Sequence, residues 1–183
     1  MSGDITVISG PTAVGKGTVV AALRARHPEV WVSVSVTTRA PRPGEVDGVH
    51  YHFIDDARFD ELIGCDGLLE WALVHGSARY GTPSAPVEQA VAEGRRVILE
   101  IELQGARQVR EKLPDARFVF IAPPRWETLQ ERLLARGTES EAEIARRLRT
   151  AEIELAAAGE FDAVIVNDDL GTAVDELVDL LGL

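Results

Sequence analysis

Four short apolar runs, separated by helical patterns, limit the folds open to this chain more than any other feature. Ile5 to Ile8, Val97 to Leu99, Phe118 to Ile121 and Val164 to Val166 consist almost wholly of apolar residues, mainly Val, Ile and Phe, and read as buried strands. Their alternation with helical patterns predicts a parallel sheet wrapped by helices, an α/β fold. After the first run, Ser9-Gly10-Pro11 marks a turn, and Val19, Val20 and Leu23 predict a helix from Gly15 to about His27-Pro28. Residues 30 to 36 alternate, with Val30, Val32, Val34 and Val36 on one face against Trp31, Ser33 and Ser35, which predicts one further strand.

Two stretches break this rhythm. Residues 37–86 hold short strand-like pieces, many turn residues and Trp71, and read as a mixed α+β insertion. Residues 136–150 hold Gly137 and then Ser140-x-x-Glu143, the spacing of a helix capping box. In the helix it opens, Ile144, Leu148, Ala151 and Leu155 mark a buried stripe, and Arg146, Arg147 and Arg149 crowd the start. The reading is therefore one domain, with a core of about 1–36, 87–135 and 151–183.

Length and composition narrow the function classes. A chain of 183 residues with 45% apolar content fits one soluble core. A net charge of -11 argues against a general nucleic-acid binder or an anionic-membrane binder, since both need excess cations. Cys65 is alone, which leaves no disulfide framework and no cysteine zinc site, and His27, His50, His52 and His75 lack metal-ligand spacing. The start at Met1-Ser2-Gly3-Asp4 has no basic targeting region and no apolar run spans a membrane, so a cytoplasmic location is expected. The cations are 17 arginines and only two lysines. Lys112, beside Glu111, reads as an exposed surface charge. Lys16 sits where a compact point charge has a use.

Gly10-Pro11-Thr12-Ala13-Val14-Gly15-Lys16 has the G-x-x-x-x-G-K spacing of a phosphate-binding loop between a strand and a helix. Backbone N–H groups turn inward around the phosphates, the helix N-terminus adds positive potential, and the lysine reaches the outer phosphates. The strict pattern continues with Ser or Thr to help hold magnesium. Here Gly17 and then Thr18 follow. The Gly-Lys-Gly-Thr ending resembles the adenylate kinase version of the loop.

The segment from Ser35 to Phe53 carries Thr37-Thr38-Arg39-Ala40-Pro41-Arg42-Pro43-Gly44-Glu45, then Gly48 and Tyr51. Two arginines three apart on a proline-rich path can grip a phosphate monoester, with the Ser35 and Tyr51 hydroxyls as further donors. The segment resembles the GMP-binding pattern S-x-T-T-R-x-P-R-x-G-E-x-x-G-x-x-Y-x-F of guanylate kinases. Further pieces follow in family order through most of the chain, from about residue 5 to 181. Glu70-Trp71-Ala72 resembles the E-W-A that supplies a carboxylate to guanine. Tyr80-Gly81-Thr82 resembles the Y-G-S/T that supports GMP. Glu100-Ile101-Glu102, then Gln104-Gly105, stands at the family's D-x-D or E-x-D. There the first carboxylate organises magnesium through water and the second accepts from guanine. Glu102 is one methylene longer than the usual Asp. Arg132, Arg136-Gly137-Thr138-Glu139 and Arg147 resemble the arginines that close over ATP phosphates, and Asn167-Asp168-Asp169 resembles an N-D-D whose Asn lies near adenine.

The resemblance implies a P-loop NTPase-type parallel sheet with a GMP-binding insertion (37–86) and a helical lid (136–150). It implies phosphoryl transfer from ATP to GMP, giving ADP and GDP, with Mg2+ and with dGMP as a further candidate acceptor. ATP falls to residues 10–18 and Asn167. GMP falls to Ser35, Arg39, Arg42, Tyr51, Glu70, Tyr80, Thr82 and Glu102. Catalysis falls to Lys16, Arg39, Arg132, Arg136 and Arg147, and the metal to Glu100. Small-molecule partners alone are expected, with no nucleic acid, no membrane and no obligate protein partner. Two alternatives stay open: a non-catalytic guanylate kinase-like binding domain, and a kinase for another monophosphate on the same fold.

Overall fold

Strand β1 (Ile5–Ser9) is buried at every position because it lies in the middle of a five-stranded sheet. Its parallel neighbours are β7 (Val97–Glu100) and β8 (Arg117–Ala122). Outside these, also parallel, lie β2 (Trp31–Val32) and β9 (Ala163–Val166). The computed structural model describes residues 4–74, 76, 78–135 and 141–183. Successive side chains of a strand point to opposite faces, and both faces are covered, as apolar runs without polar relief require. On one face Ile8, Ile98, Val119, Ile121 and Ile165 pack under α1 (Lys16–Arg26) and α7 (Leu170–Leu181). On the other, Val7, Leu99 and Phe118 pack under α3 (Ser84–Ala92) and α4 (Leu103–Lys112).

A second sheet is smaller and mixed, in the order β4 (His52–Phe53), β3 (Val36–Thr37), β6 (Ala78–Pro83), β5 (Leu68–Val74). It has its own small core of Val36, Phe59 and Leu68 beneath α2 (Asp56–Gly64). Here the expected single strand over 30–36 is corrected. Trp31 and Val32 pair with Val97 and Ile98 in the large sheet, whereas Val36 and Thr37 pair with β4 and β6 in the small one. Alternation specifies extended backbone, and it is blind to the change of partner between the two pieces.

The remaining helices are α5 (Trp126–Ala135) and α6 (Glu141–Ala156). In α6, Ala151 is buried and Ile144, Leu148 and Leu155 are half-buried, as the stripe predicts. Ser140, the cap of the predicted box, lies outside the described residues, as do Arg136, Gly137, Thr138 and Glu139. Among the described residues, no helix is long and apolar enough to cross a membrane.

Candidate functional site

An open cleft of about 970 Å³ lies at the carboxyl ends of β1 and β7, between the two sheets and α6. Such crevices are where parallel sheets receive ligands, because loops and helix N-termini converge there. The loop from Gly10 to Gly15 forms one wall, and α1 starts at Lys16 directly behind it. Gly15 takes a left-handed φ of 97°, and a β-carbon there would stand 2.6 Å from the Asn167 side-chain nitrogen. Only glycine meets both conditions. The Lys16 ammonium folds back onto the Gly10 and Pro11 carbonyls.

Carboxylates close the floor. Glu100, ending β7, faces Lys16 and Gly17, and burial raises its pKa against the opposing Lys16 charge. Glu102 caps α4: its oxygens accept from the backbone N–H groups of Gly105 at 2.6 Å and Gln104 at 2.9 Å. It therefore has a helix-capping role beside the base-reading one expected from sequence. Glu70, on β5, is 4% exposed and accepts from the Thr82 hydroxyl at 2.6 Å. Burial pushes its carboxyl up to about 7, with the Thr82 hydrogen bond opposing.

The small sheet supplies the cations. Arg39 meets Glu45 through two hydrogen bonds of 2.6 and 2.7 Å, and donates to the Tyr80 hydroxyl at 2.8 Å and the Ala40 carbonyl at 3.0 Å. Those contacts use four of its five N–H groups and leave one, on Nη2, for a ligand. Glu45 also accepts from the Arg42 backbone at 2.7 Å, so one carboxylate organises both arginines, and the Arg39 bonds hold its pKa at about 2. The Arg39 guanidinium lies 5.0 Å from the Tyr51 ring centre. Ser35, Arg42, Tyr51 and Tyr80 all face the same cleft.

Helix α6 covers the other side with Arg146, Arg147, Thr150 and Glu154. Arg146 is exposed and lines the cleft as well. Glu154 was not found by sequence reasoning. It is 7% exposed, its Oε2 is buried with no hydrogen-bond partner among the described residues, and burial pushes its carboxyl up to about 7 against Lys16 and the Thr12 backbone.

Arg132 and Asn167 are not among the residues lining the cleft. Arg132 donates to the Val14 carbonyl at 3.1 Å and the Asn167 carbonyl at 3.3 Å. Asn167 is buried and donates to the Val14 carbonyl at 2.8 Å. Both brace the back of the phosphate loop in this conformation, since a buried amide must spend its donors locally. Thr18 is exposed and lines the cleft. Lys112 is exposed, as read from sequence, and its ammonium also donates to the Leu69 carbonyl at 2.7 Å and the Leu68 carbonyl at 3.4 Å.

The arrangement joins a phosphate cradle, a second cluster of arginines and buried acceptors within one cleft. Comparison with known proteins agrees. The guanylate kinase family model matches residues 2–182. A guanylate kinase of Cutibacterium acnes is 61% identical over 179 residues, covering 98% of this chain and 90% of that protein. One from Leifsonia xyli is 59% identical over 177 residues, covering 97% of this chain and 70% of that protein. The crystal structure of guanylate kinase from Anaplasma phagocytophilum superposes with a TM-score of 0.81 at 32% identity, covering 99% of this chain and 85% of that one.

Proposed function

The chain belongs to the guanylate kinase family, enzymes of ATP-dependent phosphorylation of GMP to GDP, and from that premise we propose how its residues divide the work. The cleft carries the proposal: one wall suits the phosphates of ATP, and the opposite wall suits a nucleoside monophosphate. The residues 37–86 act as the GMP-binding unit and 136–150 as the lid.

Catalysis here is positioning and charge neutralisation, because the GMP phosphate is already a nucleophile and needs no general base. Backbone N–H groups of residues 10–18 other than Pro11, together with the Lys16 ammonium, hold the ATP phosphates, which requires Lys16 to leave the carbonyls of its own loop. Arg39, Arg42, Ser35, Tyr51 and Tyr80 hold the GMP phosphate, with Glu45 fixing the arginine fork. Glu70 and Glu102 accept from guanine N1–H and its amino group, and Thr82 orients Glu70. Arg147, with Arg136, brings positive charge to the moving phosphoryl group when the lid closes and water is excluded. Arg132 and Asn167 contribute through the phosphate loop they brace.

A divalent ion fits this donor set if ATP oxygens and water supply most ligands. Among the described residues no group of three His, Cys, Asp or Glu could cage a metal, while Glu100 stands beside Lys16 and Gly17. Glu100 would hold Mg2+ through water, and the ion would supply positive charge to the ATP phosphates. Action in the cytoplasm, on small molecules and without an obligate protein partner, completes the proposal.

A coupled ADP-release assay with GMP, dGMP, AMP, CMP and UMP, with and without Mg2+, tests it. Turnover confined to guanine acceptors and dependent on the metal is expected. Equal use of AMP would overturn the assignment of the base site, and no turnover at all would favour a binding domain.

A further inference from the structure

Strand β5 is the edge of the small sheet, so the backbone groups on its outer side need partners from elsewhere. Helix α4 of the large sheet provides them. The Gln108 amide accepts from the Trp71 N–H at 3.2 Å and donates to the Trp71 carbonyl at 2.7 Å, copying the pairing of a neighbouring strand. One turn further on, Lys112 takes the Leu69 and Leu68 carbonyls. Glu70 lies between these two anchored points. Gly105, Gln108 and Lys112 are spaced three and then four apart, which places them on one stripe of the helix. Gly105 lies against the Glu70 carboxylate, and Glu102 caps the same helix. One face of one helix thus meets β5 from Leu68 to Trp71.

We propose that Gln108 and Lys112 are positioning residues for base recognition. They dock β5 on α4 so that Glu70 and Glu102, from different sheets, keep one fixed spacing. The small sheet then moves, when it moves, about joints other than this one. The inference rests on the reading of Glu70 and Glu102 as the carboxylates that meet guanine.

The test uses Gln108→Leu, which keeps the bulk and removes both hydrogen bonds, Lys112→Met, the double variant, and Lys112→Arg. The KM for GMP should rise about tenfold in the double variant, since only part of the loss of four hydrogen bonds, two of them from the Lys112 ammonium, is felt in GMP binding. The KM for ATP should stay within about twofold, GMP preference over AMP should fall, and Lys112→Arg should restore GMP binding because its fork still reaches the carbonyls. A melting curve on each variant separates local from global damage, and the single variants carry the test if the double does not fold. Lowered melting with GMP KM and base preference within twofold of wild type would overturn the proposal, as would equal rises in both KM values. Glu70→Ala run alongside keeps the two readings apart. If it retains base preference, the reading of Glu70 fails. If it loses preference while the clamp variants behave as wild type, the clamp proposal alone fails.

Discussion

The carboxylate of Glu70 occupies the space that a side chain on residue 105 would take: a β-carbon at Gly105 would stand 2.3 Å from Glu70 Oε2. Because Glu70 is buried and tied to Thr82, it has little room to retreat. Gly105→Ala should therefore act on the base site from behind. GMP efficiency should fall by roughly 10-fold or more, the loss of one hydrogen bond to a charged group, with smaller change in the KM for ATP. Steady-state kinetics with each substrate varied in turn checks this.

Lys16 is one of only two lysines, and its ammonium rests on the carbonyls of its own loop. Lys16→Ala should cut turnover by several orders of magnitude at an unchanged melting temperature, and Lys16→Arg should rescue little, since a planar fork cannot replace a point charge in a tight loop. ADP release measured at saturating GMP decides it. Near wild-type release from Lys16→Ala would remove the phosphate loop from the mechanism.

Glu102 combines two roles, because its carboxylate satisfies two N–H groups at the start of α4. Aspartate is a favoured helix cap, so Glu102→Asp should melt close to wild type and keep its preference for guanine at reduced efficiency. Glu102→Ala should lose about 1 kcal/mol of stability as well as base preference. Denaturant titration beside kinetics separates the two losses.

Much of this was legible in the sequence where the determinant is local. The four apolar runs, the phosphate loop and the helix after it depend on neighbours a few residues away, and the strands and α1 appear where expected. Ser35, Arg39, Arg42, Tyr51, Glu70, Tyr80, Glu100, Glu102 and Arg147 reach one cleft. What sequence hid depends on tertiary partners. The extended stretch around Val34 changes sheets because its pairing strands lie far along the chain. Glu154 reads as a surface residue of an amphipathic helix until α6 is laid over the loop. Lys112 reads as a solvated charge because its partners are backbone carbonyls 43 and 44 residues away.

Glu154 gives the fold a measurable pH dependence. Its carboxyl is raised from 4.5 to about 7, mainly by burial. A carboxyl whose pKa is higher in the folded chain contributes stability that is full below the unfolded value and is lost as pH rises through the folded value. Glu154→Gln lacks that dependence. Between pH 5 and pH 8 the wild type should therefore lose up to about 3 kcal/mol relative to the variant. Urea titrations of both proteins at the two pH values give the difference, and a pH-independent difference would mean that Glu154 is not a buried titrating group.

The central claim is that a buried carboxylate on β5 reads the base. Guanine presents N1–H and an amino group as donors, whereas adenine turns an acceptor toward the same place, so an ionised Glu70 favours one and repels the other. The most direct measurement is the ratio of kcat/KM for GMP to that for AMP, in the wild type and in Glu70→Ala. The account predicts that the ratio falls by roughly 10- to 150-fold in the variant, the range for a hydrogen bond to a charged group. A ratio within about threefold of wild type, well below that range, would contradict it.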